Sequence, residues 1–205
     1  MPAKVLILGI GNVLWADEGF GVRCVERLAS KYAFDDNVRI LDGGTQGLYL
    51  LPFLEEADTL IVFDAVDYGL EPGTMKIVEN DEVPQFMGAK KMSLHQTGFQ
   101  DVIATAQLMG YCPETLLLIG CQPEELEDYG GGLRDVVAAQ IDPAIDIAGY
   151  AKALGVASAG PVETVGELVA AIDKGLKVVE SGRPYVLDVH VAPGYATPPP
   201  ARSAG

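Results

Sequence analysis

The sequence predicts an α/β fold: a three-layer sandwich in which a mostly parallel, twisted sheet is flanked by helices. Over the first 120 residues, short runs of β-branched residues alternate with longer helical patterns, which is typical of a parallel α/β sheet. The chain has 205 residues, of which 49% are hydrophobic and 21% charged. A chain of this size can bury one sizeable core without disulfide bonds.

The first strand is predicted from a continuous apolar run at residues 5–10, which ends in the turn sequence Gly9-Ile10-Gly11-Asn12. Apolar residues then recur at helical spacing, with charged residues on the other face, so residues 18–32 are predicted to form a helix. The elements predicted next are a strand at 38–41, a helix at 47–57 and a buried strand at 59–63.

The alternation continues in the second half of this region. The predicted elements are a strand at the sheet edge at 74–78, a loop at 85–94, a helix at 98–109 and a central strand at 115–120. A turn at 130–132 precedes a helix at 133–154, which Pro143 must kink or restart because proline has no backbone N–H.

A change in composition near residue 155 predicts two parts, an α/β domain over residues 1–154 and a C-terminal appendage over 155–205. Residues 1–150 hold 9 basic and 24 acidic side chains, whereas 151–205 hold five of each. In the appendage, 162–179 is a candidate helix and 185–191 a candidate strand. Residues 193–205 are rich in Pro, Ala and Gly, so we expect them to be disordered.

The charge and the cysteine content exclude several classes of protein. A formal charge of −15 repels phosphate backbones and anionic lipid, so neither nucleic-acid binding nor direct membrane binding is expected. The three cysteines form no CxxC pair, and no apolar run is long enough for a signal peptide or a membrane span. We therefore expect a cytoplasmic protein with reduced thiols.

Acidic residues follow three of the predicted strands. Asp17 and Glu18 come after the first strand, Asp42 ends the second and Asp64 ends the third. Ligands of open α/β sheets bind outside the carboxyl ends of the strands. Carboxylates gathered there repel one another, which raises a pKa or recruits a cation, so a divalent metal site is one interpretation.

Each of these residues also has a purely structural interpretation. Asp17 is a suitable N-cap for a helix that begins at Glu18, a role in which asparagine would serve equally well. Glu18 can complement the helix dipole, and Asp42 can accept hydrogen bonds from the turn at Gly43 and Gly44. His95, on a polar loop before a helix, is a candidate metal ligand.

The glycine loop after the first strand does not match a dinucleotide-binding fingerprint. Leu14 stands where the third glycine is required. Asp17 and Glu18 crowd the helix N-terminus that would receive the pyrophosphate, so a cation is favoured there over a phosphate.

Several segments along residues 4–150 form an ordered set: Gly9-Ile10-Gly11-Asn12-Val13-Leu14 with Asp17-Glu18-Gly19, Leu41-Asp42-Gly43-Gly44-Thr45, Asp64-Ala65-Val66-Asp67, Pro72-Gly73-Thr74, Ser93-Leu94-His95-Gln96 and Gln122-Pro123-Glu124. In this order they resemble the hydrogenase maturation endopeptidases, which process the large subunit of [NiFe] hydrogenases. Any one of these segments is a weak signal, whereas the ordered set is specific.

The resemblance implies that Glu18, Asp64 and His95 are metal ligands and that the metal is nickel, carried by the immature large subunit. The implied reaction is hydrolysis of one peptide bond near the C-terminus of that precursor. A metal can polarise the scissile carbonyl or lower the pKa of a water, or Asp42 can act as a general base. Asp42, Glu18, Asp64 and His95 are therefore the candidate catalytic residues. The alternative is a non-enzymatic module that senses nickel on the large subunit.

Overall fold

The computed structural model describes residues 4–83, 94–146, 157–181 and 185–189. It divides into two compact units, Met1–Ile145 and Asp146–Gly205. The boundary expected from composition, between residues 154 and 155, falls in a stretch outside the described residues.

The first unit contains five strands and the helices that connect them along the described chain. Three short 3-10 turns lie between these strands and helices, at Ala16–Gly19, Gly47–Leu50 and Asn80–Glu82. The strands and helices, in chain order, are β1 (Val5–Ile10), α1 (Phe20–Lys31), β2 (Val38–Gly44), α2 (Leu51–Glu55), β3 (Thr59–Ala65), β4 (Met75–Glu79), α3 (Leu94–Met109), β5 (Thr115–Cys121), α4 (Asp135–Ala138) and α5 (Ile141–Ala144).

The five strands form one sheet in the order β2-β1-β3-β5-β4. The first four are parallel, and β4 runs antiparallel at the edge beside β5. From β1 the chain crosses first to β2 on one side and then returns to β3 on the other. The strand order therefore switches between β1 and β3, and the region outside their carboxyl ends is where open α/β sheets have their ligand-binding crevice.

Both faces of this sheet are covered, which confirms the predicted three-layer α/β sandwich. Alternate residues of the central strands, such as Leu8, Val62 and Leu118, belong to one buried cluster with residues of α2 and α3. On the other face, α1 packs so closely that a Cβ on Gly21 would lie 2.1 Å from the carbonyl oxygen of Phe63. Glycine is therefore required where this helix crosses the strands.

The described residues of the second unit, 157–181 and 185–189, form a β-α-β arrangement. Strands β6 (Ala157–Val162) and β7 (Tyr185–Val189) pair in parallel, and α6 (Val165–Glu180) connects them. The side chain of Thr164 accepts a hydrogen bond from the backbone N–H of Glu167, and the Glu167 carboxylate accepts one from the backbone of Thr164. This capping box fixes the start of α6.

Four predicted helices change in the structure of the first unit. The helix predicted at 47–57 is a 3-10 turn at Gly47–Leu50 followed by α2. The predicted helix at 18–32 is a 3-10 turn at Ala16–Gly19 followed by α1, so Glu18 lies before the helix. The helix predicted at 98–109 already begins at Leu94. In place of one helix from residue 133, α4 and α5 are separate, and Pro143 lies in the first turn of α5, where its missing N–H is tolerated. The loop predicted at 85–94 lies almost wholly outside the described residues.

Among the described residues, no helix combines the length and the apolar character that crossing a membrane requires.

Candidate active site

The crevice between the ends of β1 and β3 holds two of the predicted site residues. Gly9 of β1 is paired with Phe63 of β3, so Asp64 projects at the level where β1 gives way to its turn. Glu18 lies in the 3-10 turn that follows β1. The chain folds tightly back over the strand end here. The approach is so close that a Cβ on Gly11 would clash with the carbonyl oxygen of Glu18.

Asp64 is completely buried. Within the described residues, neither of its carboxylate oxygens accepts a hydrogen bond of ordinary geometry. Burial raises the pKa of Asp64 well above its ordinary value, the neighbouring amide of Ala65 opposes part of this effect, and the charge of Glu18 raises the pKa further. A buried carboxylate in these surroundings is stabilised either by a proton or by a cation.

Glu18 is also buried, with only 7% of its surface exposed. This burial raises the pKa of Glu18 to about 7. Because the charge of Glu18 acts on Asp64, the two carboxylates share one electrostatic environment. Two adjacent acids with raised pKa values form the arrangement that a divalent cation neutralises. The interpretation of Glu18 as a residue that only complements a helix dipole does not account for this burial.

Asp42 is placed differently from the other two acids. It lies at the end of β2, beside Gly9 of β1, and its side chain is exposed. Within the described part of the chain, no hydrogen bond from Gly43 or Gly44 reaches its carboxylate, so the turn interpretation is wrong. Only its carbonyl oxygen is engaged locally, by the side chain of Gln46 at 3.0 Å. Asp42 therefore lies at the same carboxyl edge of the sheet as Glu18 and Asp64, but it is exposed to solvent.

His95 is the second residue of α3, in its first turn and not on a preceding loop as expected. Its side chain is outside the described part of the structure, as is the whole of His190. Among the side chains that are described, no group of three His, Cys, Asp or Glu residues is arranged to hold a metal ion. Among the described side chains, Glu18 and Asp64 are two carboxylates that could hold a metal ion.

Asp17 is not a helix N-cap, which corrects the sequence interpretation. The turn and α1 begin without any side-chain cap. The buried carboxylate of Asp17 instead accepts three backbone N–H bonds from the far side of the chain. The donors are Glu124 and Glu125, each at 2.9 Å, and Arg134 at 2.7 Å. Because these partners are more than 100 residues away, no local spacing indicated this role.

Gln122 and Tyr68 lie after β5 and β3, at the same carboxyl edge of the sheet as Asp64, and neither was identified as a site residue from the sequence. The buried side chain of Gln122 accepts hydrogen bonds from the backbone of Tyr68 at 2.8 Å and Leu70 at 3.2 Å, and donates one to Asp67 at 3.0 Å. It thereby joins the loop after β3 to the end of β5. Burial, and after it the charge of Asp64, raises the pKa of Tyr68, so its hydroxyl stays protonated beside that acid.

A family model described as hydrogenase maturation protease matches residues 22–150. The hydrogenase expression/formation protein HupD of Rhodobacter capsulatus is 76% identical over 144 residues, which cover 70% of this chain and 69% of that protein. The hydrogenase 2 maturation protease of Escherichia coli is 44% identical over 144 residues, which cover 70% and 87% of the two chains.

The solved structures agree with the sequence relatives. The chain is similar to the hydrogenase maturating endopeptidase HybD from Escherichia coli, with a TM-score of 0.68 and 41% sequence identity. The similarity covers 74% of this chain and 94% of that structure.

Proposed function

Because this chain belongs to the hydrogenase maturation protease family, we propose that it cuts one peptide bond near the C-terminus of the large-subunit precursor of a [NiFe] hydrogenase, in the cytoplasm, after nickel has entered that precursor. Membership of the family makes the chain a peptidase. The nickel requirement, the partner and the site of cleavage are the parts that we propose.

The observation that carries this proposal is the buried pair of acids, Glu18 and Asp64. The Asp64 carboxylate accepts no hydrogen bond of ordinary geometry from the described residues, and the charge of Glu18 acts on it. Carboxylate oxygens, together with the imidazole of His95, form a mixed oxygen and nitrogen donor set that suits nickel among other first-row metals. Nickel is cargo of the substrate, and these side chains complete its coordination only when it is present.

The cleavage chemistry has two routes that these residues support. The nickel of the substrate can polarise the scissile carbonyl or acidify a water molecule. Alternatively, Asp42 can act as a general base, and its exposure at the carboxyl edge of the sheet leaves it accessible to a substrate chain and to water. In either route, Glu18 and Asp64 change from a mutually repelling pair to ligands of a cation.

The decisive experiment incubates the purified protein with nickel-loaded and with nickel-free large-subunit precursor. Mass spectrometry of the precursor is expected to show loss of a short C-terminal peptide in the loaded sample only. Glu18→Gln, Asp64→Asn and His95→Ala should each abolish this loss, while Glu26→Gln, on the exposed face of α1, should not. Cleavage of the nickel-free precursor would contradict the nickel requirement, and binding without cleavage would favour the sensing module.

A further inference from the structure

The turn that carries Glu18 is fastened to a second loop, which we call the clasp segment (residues 122–134, after β5). The carboxylate of Asp17 is the centre of this connection. One oxygen accepts the N–H groups of Glu124 and Glu125 and the other accepts that of Arg134. Hydrogen bonds to an ionised carboxylate are stronger than those between neutral groups, so this is a firm attachment.

Three other contacts join the same two segments. The backbone N–H of Asp17 donates to the carbonyl of Glu125 at 3.0 Å, and that of Gly130 donates to the carbonyl of Leu14 at 2.7 Å. The rings of Trp15 and Tyr129 meet edge to face with their centroids 5.2 Å apart. The clasp segment therefore contacts the chain at Leu14 and Trp15, before the turn, and at Asp17, within it.

The backbone of the turn requires such an attachment. Ala16 has a φ of +32°, in the left-handed region that residues other than glycine seldom adopt. A conformation of this kind persists only where the surrounding structure enforces it. The contacts at Asp17 and Leu14 lie on either side of Ala16, so they hold the strained residue from both directions.

We propose that Asp17 is a positioning residue: by fastening the turn to the clasp segment, it directs Glu18 toward Asp64. This inference rests on the proposed role of Glu18 as a ligand. Asp17 does not touch the metal or the substrate. Asparagine cannot replace it, because one side-chain oxygen would become an NH2 group that faces a backbone N–H donor. The expectation that Asp17→Asn would be mild is therefore reversed.

The protein carries its own spectroscopic reporter for this test. Trp15 is its one tryptophan, and it lies immediately before the turn, against Tyr129. In Asp17→Asn we expect Trp15 fluorescence to shift to longer wavelength while circular dichroism shows a retained fold. Titration with Cd²⁺ alone should show an affinity at least about tenfold lower than in the wild type, the loss typical of removing a group that orients a metal ligand. Cleavage of the nickel-loaded precursor should fall in parallel.

Two further variants separate positioning from a general loss of stability. Leu28→Ala removes a buried side chain of α1, about 12 Å along the helix from its first residue. It should lower stability but leave Trp15 fluorescence and Cd²⁺ affinity unchanged. Ala16→Gly removes the backbone strain, because glycine adopts positive φ readily. Added to Asp17→Asn, it should restore part of the Cd²⁺ affinity, which a merely structural role of Asp17 would not predict.

Each outcome decides one proposal. If Asp17→Asn matches Leu28→Ala in fluorescence and in Cd²⁺ affinity, the positioning role is wrong. If Asp17→Asn does not fold, Tyr129→Ala, which truncates a side chain that is 67% exposed, must show the same fluorescence shift and a smaller loss of affinity, or the proposal fails. If the wild type neither binds Cd²⁺ nor cleaves, the role of Glu18 as a ligand has failed, and with it the positioning role.

Discussion

The two units of the chain bury their apolar residues to very different extents. In the first unit, helices cover both faces of a five-stranded sheet, and the inner strands are almost wholly buried. The described residues of the second unit form two strands and one helix, and the two strands are largely half-buried. One face of α6 also leaves a row of apolar side chains exposed at helical spacing: Val165, Val169, Ile172, Leu176 and Val179.

This difference bears on why the two carboxyl groups with strongly raised pKa values, Asp64 and Glu18, belong to the first unit. Exclusion of water by several layers of protein raises the pKa of a carboxyl group strongly. The three-layer core provides such surroundings for Asp64 and Glu18 at its switch point. Glu167 of the second unit is the contrasting case, since the backbone N–H groups it accepts lower its pKa. Among its described residues, the β-α-β unit caps a helix with one carboxylate and buries another, since only 6% of Asp188 of β7 is exposed, but it has no second helical layer over its sheet.

The largest expected effect is that of Glu18→Gln, which tests whether burial of this acid serves the reaction. We expect cleavage of nickel-loaded precursor to fall on the order of a hundredfold or more, because a charged ligand is lost. Stability should stay equal or rise slightly, since one of two repelling acids is removed. Single-turnover cleavage and urea unfolding measure the two quantities. A variant that cleaves at the wild-type rate would show that Glu18 is not a ligand.

The second expected effect is a dependence of stability on pH in the first unit. Glu18 has a pKa of about 7 in the folded protein and a value near 4.5 when unfolded. Between these values the folded state binds more protons than the unfolded state, so the free energy of unfolding falls as the pH rises. We expect a decrease on the order of 2 kcal/mol between pH 5 and 8 in metal-free protein.

Urea unfolding in the presence of a chelator, at several pH values, measures this decrease. Glu18→Gln is the matched variant, because it keeps the shape of the side chain and removes its titration. The decrease should be smaller in that variant, and what remains should include the contribution of Asp64, whose pKa is also raised. Identical pH profiles in the two proteins would contradict the burial of Glu18 as an acid.

Most of the fold of the first unit follows from the sequence, because apolar runs and helical periodicity are local properties. The strand at Val5–Ile10 matches its prediction, and Thr59–Ala65 and Thr115–Cys121 extend theirs by two residues and one residue. The prediction that Glu18 and Asp64 share the edge of the sheet also agrees with the structure. It required only that both residues follow parallel strands, since the carboxyl ends of such strands lie on one side.

The sequence could not show which contacts are made over long distances along the chain. An aspartate before a helix predicts an N-cap, yet the partners of Asp17 are at residues 124, 125 and 134. Likewise, the links made by Gln122 depend on the register of β3 and β5. Local patterns cannot encode such pairings, because they arise only when the sheet has assembled.

A smaller effect is expected from Thr164→Ala, which tests whether the two units unfold independently. The change removes the hydroxyl that accepts the N–H of Glu167 at the start of α6. We expect the second unit to lose about 1 kcal/mol of stability, the usual cost of removing a threonine cap. Hydrogen exchange of α6 should accelerate, while exchange in β1, β3 and β5 should be unchanged. Faster exchange in those strands would show that the units unfold together.

The smallest expected effect is that of ending the chain after Val156, which removes every described element of the second unit. Every member of the buried cluster of the first unit precedes that point in the chain. Glu18, Asp64 and the clasp segment precede it as well. A unit with its own core and its own site should fold alone, so we expect cleavage within about twofold of the full chain. The comparison is made with nickel-loaded precursor at equal protein concentration, and circular dichroism checks the fold. If the shortened chain folds with wild-type Cd²⁺ affinity but its KM rises strongly, the second unit contributes to docking of the precursor. If it folds and kcat falls instead, the second unit acts on the site itself, and the expectation that the first unit cleaves the precursor without it is wrong.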